Sequence, residues 1–160
     1  MSVVVGVLVC ASGLLGQQST SDRTYSEQNW QFAGGDWSSS RYSTLSDIST
    51  ETVDRLSGAW VTRLEGGASS RATPVVHDGI MYLTAGANIF ALDGATGESV
   101  WRSQLNSSDA DSRRVPSWQG VGLSEDLIFV GLRSAEVAAL RQDTGELVWA
   151  EPVGSIPAEH

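Results

Sequence analysis

Ala91-Leu92-Asp93-Gly94-Ala95-Thr96-Gly97-Glu98-Ser99-Val100-Trp101 and Ala139-Leu140-Arg141-Gln142-Asp143-Thr144-Gly145-Glu146-Leu147-Val148-Trp149 are one pattern written twice, with the two tryptophans 48 residues apart. The upstream halves match as well. Asp78-Gly79-Ile80-Met81-Tyr82-Leu83-Thr84 answers Glu125-Asp126-Leu127-Ile128-Phe129-Val130-Gly131 at an offset of 47, so one inserted residue separates the halves. A repeat of this period, built of strand, Thr-Gly-Glu turn and a strand ending in Trp, belongs to β-propeller blades and not to a helical solenoid. Each unit reads as a turn (Asp78-Gly79, Glu125-Asp126), an apolar strand (80–83, 127–130), a second strand (88–92, 136–140), the tight turn and a third strand. A preceding strand at 72–76 and at 120–123 brings each blade to four. The turn glycine supplies a positive φ, and the Thr or Asp ahead of it hydrogen-bonds the turn backbone, so these residues are turn chemistry and not catalysis. Trp101 and Trp149, at the same place in successive units, are expected to lie between neighbouring blades rather than to serve as stacking platforms for a ligand.

The expected fold class is therefore all-β, with four-stranded antiparallel propeller blades. The 160 residues hold roughly two such blades, whereas a closed propeller needs at least about four. Two isolated blades would leave paired edges and apolar inter-blade faces open, which repeat arrays normally cap. The expectation is a portion of a longer protein, or a chain whose open faces something else covers, including other copies of itself in a ring.

Toward the N-terminus, residues 1–16 carry an apolar run at 3–15 that is too short to span a bilayer and suits a secretory leader, so export is expected. Cys10 lacks a small residue ahead of it, since Val9 stands there, which argues against lipid attachment; without the leader no cysteine would remain for a disulfide. Residues 17–29 read as a flexible lead-in, and order begins at Trp30. Ser49 is placed to cap a short helix, with Ile48 and Val53 as its hydrophobic staple and Gly58 as its stop. Residues 59–64 then read as a strand and 66–70 as a loop.

The chain has 19 acidic residues against 10 basic ones, all arginine, for a formal charge of −9. A phosphate backbone needs the opposite balance, so nucleic acid is excluded as a partner and a solvated acidic surface is expected. His77, at a strand end, has no nearby Cys or second His with which to hold zinc. Asp109-Ala110-Asp111 lacks the glycine and bidentate glutamate of a calcium loop. No phosphate loop, nucleophile elbow or helical metal motif is present.

Trp30, Gly34-Gly35-Asp36, Arg41-Tyr42-Ser43, Leu45 and Ile48 are followed by Val53, Leu56 and Ala59-Trp60, then by Ala72-Thr73-Pro74-Val75-Val76, Asp78-Gly79-Ile80-Met81-Tyr82 and the two Thr-Gly-Glu repeats. In this order, from Trp30 to the C-terminus, they resemble the N-terminal part of the pyrroloquinoline quinone (PQQ) dependent alcohol dehydrogenases. The repeat alone also occurs in non-enzymatic propellers of the cell envelope; the Gly-Gly-Asp and Arg-Tyr-Ser entry favours the dehydrogenases.

The resemblance implies an eight-bladed periplasmic propeller, with residues 30–160 as its entry segment and first blades. It also implies a quinone stacked between a Trp and a vicinal disulfide beside a Ca²⁺ ion, and an Asp base. The metal ligands and the base would come from later blades, so no catalytic residue is named in this chain. The remaining blades of the longer chain, an alcohol or sugar substrate and a respiratory electron acceptor are the implied partners. The full-length protein would oxidise the substrate, and the chain alone would be inactive.

The sequence departs from the family pattern where the cofactor should be met. Arg71 stands where the family has a quinone-contacting glutamate, and Arg113, Arg114 and Gln119 fall where it has adjacent cysteines and an arginine. Two readings stay open. The four residues form a different anion-binding pocket, since Arg offers paired bonds to the quinone's carboxylates; or the cofactor site has decayed and the protein is a propeller scaffold. Gln119 abuts a strand and favours the pocket, whereas Arg113 and Arg114 lie in a polar loop.

Overall fold

The computed structural model describes residues 29–105, 115–117 and 119–154. They form two four-stranded antiparallel sheets, each a meander in chain order. The first blade holds β1 (Val75–His77), β2 (Ile80–Ala85), β3 (Asn88–Asp93) and β4 (Ser99–Gln104). The second holds β5 (Gly122–Ser124), β6 (Leu127–Gly131), β7 (Glu136–Arg141) and β8 (Leu147–Pro152). These are the two blades that the repeat predicts. The first strand of each begins later than the pattern indicates. Pro74, just before β1, has no N–H to give a ladder, and Gly120 turns the chain at φ 95° before β5.

The connections follow from local chemistry. His77 pairs with Ile80, so β1 and β2 are joined by Asp78-Gly79 alone, and both residues take positive φ (47° and 78°), as a two-residue hairpin requires. Gly97 and Gly145, at φ 74° and 70°, close the turns ahead of β4 and β8. Their N–H groups reach the carbonyls of Asp93 and Arg141 at 2.8 and 2.9 Å. In both blades the register slips at the same place. Ala91 pairs with Trp101 but Leu92 with Ser99, and Ala139 pairs with Trp149 but Leu140 with Leu147, so Val100 and Val148 are bulged residues that set the aim of the tryptophan beside them.

The two blades stabilise their last turns differently. The Asp93 carboxylate accepts the N–H of Ala95 (2.9 Å), the N–H of Thr96 (2.8 Å) and the Thr96 hydroxyl (3.1 Å). The Thr96 N–H, then its hydroxyl and the Ala95 N–H, hold the Asp93 carboxyl below its ordinary 3.8. The matching position of the second blade is Arg141, at 3.7 Å from the Asp126 carboxylate. There the neighbouring Gln142 amide donates to the carbonyls of Glu125 and Leu127 instead.

The main core lies between the sheets. Val75, Tyr82, Ile89, Ala91 and Leu105 of the first blade pack with Ile128, Val130, Leu132, Ala138 and Leu140 of the second. Phe90 and Leu92 point to the other face of the first blade, where Leu64, Met81 and Leu83 join them. β3 is accordingly buried on both faces, and it reads as an apolar run rather than as an alternation. The two polar side chains buried among the described residues are satisfied: the Thr84 hydroxyl donates to the Ser117 carbonyl (3.2 Å) and the Asn88 amide to the Gly66 carbonyl (2.6 Å).

Trp101 behaves as its position predicts. Its indole lies over the turn of the second blade, where a Cβ on Gly145 would stand 2.5 Å from the ring, and its Nε1–H donates to the Gln142 carbonyl at 2.8 Å. Trp149 does not: it is 38% exposed and contacts Phe129 of its own blade, with ring centroids 6.0 Å apart. No further turn covers it among the described residues.

Two expectations for the entry segment change. The helix after Ser49 is a single 3-10 turn at Val53–Arg55 with no side-chain cap bond. The Thr52 hydroxyl accepts the Ser49 N–H (2.7 Å) and donates to the Asp47 carbonyl (2.8 Å). Ile48 and Val53 stay exposed, so no staple forms and no buried face offsets the cost of nucleating a helix. Residues 59–64, read as a strand, pair with no strand among the described residues.

Three substitutions check this account. Gly145→Ala strains the turn and drives a Cβ into the Trp101 ring, and is expected to cost about 2 kcal/mol or more in urea unfolding. Gly58→Ala, with no atom within 4 Å of its new Cβ, should change stability by less than about 0.5 kcal/mol. The Asp93 carboxyl, being depressed in the folded state, contributes stability above its unfolded pKa that is lost as pH falls through the folded one. Asp93→Ala should therefore lower the urea midpoint at neutral pH, by a difference that shrinks as the pH is taken well below 3.8.

Candidate cofactor-facing site

Arg71 and Gln119 occupy the same place in successive units, 48 residues apart and just ahead of β1 and β5. The residues that follow them meet, with Ala72 and Thr73 against Gly120. A Cβ built on Gly120 would stand 3.0 Å from the Thr73 carbonyl and 3.8 Å from the Ala72 Cβ, so the starts of the two blades touch and only a glycine at φ 95° allows it. Gly120 is buried, whereas Arg71 and Gln119 are exposed on either side of that contact. Among the described residues, no hydrogen bond or ion pair holds either side chain. Arg113 and Arg114 lie outside the described residues.

An exposed guanidinium and an exposed amide can hold a carboxylate. The first gives a fixed pair of donors and a permanent charge, the second one further N–H. Their chemistry suits holding an anion rather than moving a proton. A group with several carboxylates, such as PQQ, fits the donor set.

His77 is engaged elsewhere. Its Nδ1 lies 2.8 Å from the Gln31 amide nitrogen, and its Nε2 lies 3.7 Å from the Asp78 carboxylate. Asn29 accepts the Asp78 N–H at 2.8 Å, and Trp30 exchanges two backbone bonds with Val76 (2.9 and 2.8 Å). The histidine thus ties the entry segment to β1. Tyr82, deep in the inter-blade core with its ring 6.0 Å from that of Trp101, has its phenol pKa raised by burial first and by the charges of Asp78 and Asp143 after it. Among the described residues no cluster of three or more His, Cys, Asp or Glu could hold a metal ion. Nor is any helix there long and apolar enough to cross a membrane.

One relationship escapes the repeat as first read. Trp60 lies over the turn of the first blade, against Gly97, and its Nε1–H donates to the Gly94 carbonyl at 3.0 Å. Gly94 and Gly97 are the counterparts of Gln142 and Gly145, which receive Trp101. The available signal was Trp60 with Leu64, the spacing of Trp101 with Leu105.

Two four-stranded meanders, docked through tryptophans on glycine turns and sharing one core, define blades of a β-propeller. Residues 30–151 match the family of the PQQ glucose/ethanol/alcohol dehydrogenases, in its β-propeller domain, and the chain belongs to that family. The chain is 31% identical over 132 residues to a quinohemoprotein alcohol dehydrogenase, ADH-IIG, of Pseudomonas putida, an alignment that covers 76% of this chain and 18% of that protein. It is 35% identical over 119 residues to the quinoprotein alcohol dehydrogenase PedH of the same species, covering 71% and 20%. The crystal structure of the quinohemoprotein alcohol dehydrogenase of Comamonas testosteroni superposes with a TM-score of 0.67 at 32% identity, over 78% of this chain and 19% of that one. The chain thus spans about a fifth of the length of these relatives.

Gly120→Ala tests the close approach between the starts of the two blades. The substitution should cost about 1–3 kcal/mol, read as a lowered urea midpoint at unchanged slope.

Proposed function

We propose that the full-length protein is an exported quinoprotein dehydrogenase that oxidises an alcohol or sugar with bound PQQ and passes the electrons to a respiratory acceptor. The observation that carries this reading is the pair Arg71 and Gln119, open and unengaged at the touching starts of adjacent blades, in a chain of the PQQ propeller family. The two residues, joined by Arg113 and Arg114, would meet the carboxylates of PQQ, with Arg71 in place of a glutamate. Bound PQQ supplies an ortho-quinone that accepts two electrons from the substrate. This segment's share is to hold and orient the cofactor's acidic edge. Ca²⁺ and the base that takes the substrate proton are assigned to later blades, so the 160-residue chain is inactive alone. The apolar run at 3–15 supports export, to the periplasm.

The test is PQQ uptake by the full-length protein, with dye reduction by a panel of alcohols and sugars as the second readout. Saturable uptake with dye reduction is expected. Arg71→Ala should weaken PQQ by roughly tenfold or more, the worth of a charge-assisted hydrogen bond. A full-length protein that folds but takes up no PQQ would instead favour a scaffold of the cell envelope, for which the missing glutamate and paired cysteines speak.

A further inference from the structure

Ser117 sits where the two blades meet, and its backbone is held from both. Its N–H donates to the Gly131 carbonyl at 2.7 Å, and its carbonyl accepts the Thr84 hydroxyl at 3.2 Å. Thr84 and Gly131 end the matched stretches 78–84 and 125–131, so they hold the same repeat position in successive units, and the copies differ there. The glycine offers only its backbone. The threonine offers a side-chain donor that is 2% exposed, at a core position where an apolar residue would avoid the cost of burying a hydroxyl.

The stretch that Thr84 grips is extruded from the second sheet. Pro116 bridges to Leu132 and Gly122 pairs with Phe129, so the chain takes 122 − 116 = 6 steps where its partner takes 132 − 129 = 3. The surplus falls between Ser117 and Gly122 and includes Gln119. It is fastened to the first blade on both sides of Gln119, by Thr84 at Ser117 and by the close approach of Gly120 to the Thr73 carbonyl. Of the described residues from 115 to 121, Gln119 alone is exposed. Residues without a ladder partner have no register of their own, so the two fastenings set where Gln119 stands.

We propose that Thr84 is a positioning residue for cofactor binding. Its hydroxyl fixes the Ser117 end of the extruded stretch, and with it the place from which Gln119 would meet a carboxylate of PQQ. Thr84 acts through Gln119 and not by a contact of its own. The inference rests on the reading of Gln119 as a cofactor contact.

PQQ titration of the cofactor-free full-length protein, followed by quinone absorbance, tests it, with urea midpoints measured alongside. Thr84→Val and Thr84→Ala remove the donor and should weaken PQQ by at least about fivefold. Thr84→Ser keeps the hydroxyl but loses a buried methyl; it should lower the urea midpoint yet bind PQQ within about twofold of wild type. In a Gln119→Ala background Thr84→Val should weaken PQQ by less than about twofold, since the group it positions is gone. Unchanged affinity in Thr84→Val, or the same loss with and without Gln119, would overturn the proposal. Affinities that simply track the urea midpoints across the three variants would overturn it too, by leaving Thr84 a merely structural part. Wild-type protein that takes up no PQQ would overturn the cofactor reading and this inference with it, whereas wild-type uptake left intact by Thr84→Val removes this inference alone.

Discussion

The structure depends on an indole lying flat over a glycine turn of the next blade. A propeller blade is a twisted sheet, and two twisted sheets side by side leave a wedge at their outer ends. Trp101 fills that wedge, and its one polar atom finds the Gln142 carbonyl at 2.8 Å, so a large apolar surface is buried without orphaning a donor. The receiving turn must present bare backbone, which is why Gly145 sits there at φ 70° with no room for a Cβ. The turn glycine therefore answers two demands at once, conformation and clearance. The repeat keeps Thr-Gly-Glu and Trp together because each needs the other's counterpart one blade away.

The same coupling explains why the core lies between the blades and not within one. A single sheet of four strands has two faces and no interior. The first blade buries Ile89 and Ala91 toward the second, and Phe90 and Leu92 toward the segment that carries Trp60 and Leu64. Every blade is thus stabilised by its neighbours, as in a linear array of repeats, and a terminal blade keeps an uncovered side. Trp149, with Leu147 and Val148 partly exposed around it, has no turn opposite it among the described residues. Its exposure does not contradict the inter-blade role of the motif, because Trp101 shows what the same residue does when a turn stands opposite.

Most of the architecture was legible because repetition is redundant. Two copies of Asp/Glu-turn, apolar strand and Thr-Gly-Glu…Trp fix strand order, hairpin positions and facing residues without any long-range inference. The errors fall where that redundancy ends. The helix expected after Ser49 rested on a local cap and staple alone, and with Ile48 and Val53 left in solvent nothing held more than one turn. The starts of β1 and β5 shifted because Pro74 and Gly120 act on the backbone rather than through hydrophobic pattern. Trp60 was read as part of a strand but not as a member of the repeat, since the upstream sequence that marks the other two units is absent before it.

The site was harder to read for a related reason. Residues that repeat are the ones that hold blades together, and chemistry falls to positions where the copies differ. Arg71 and Gln119 share a repeat position and share no chemistry, which marks them as released from the packing rule that keeps Gly97 with Gly145 and Trp101 with Trp149. The backbone contact at Gly120 joins the two stretches that carry them. A permanent cation and an amide on these stretches suit an acidic ligand, while the surrounding chain is strongly acidic and would repel one elsewhere. Arg71 is thus a local reversal of the molecule's overall charge.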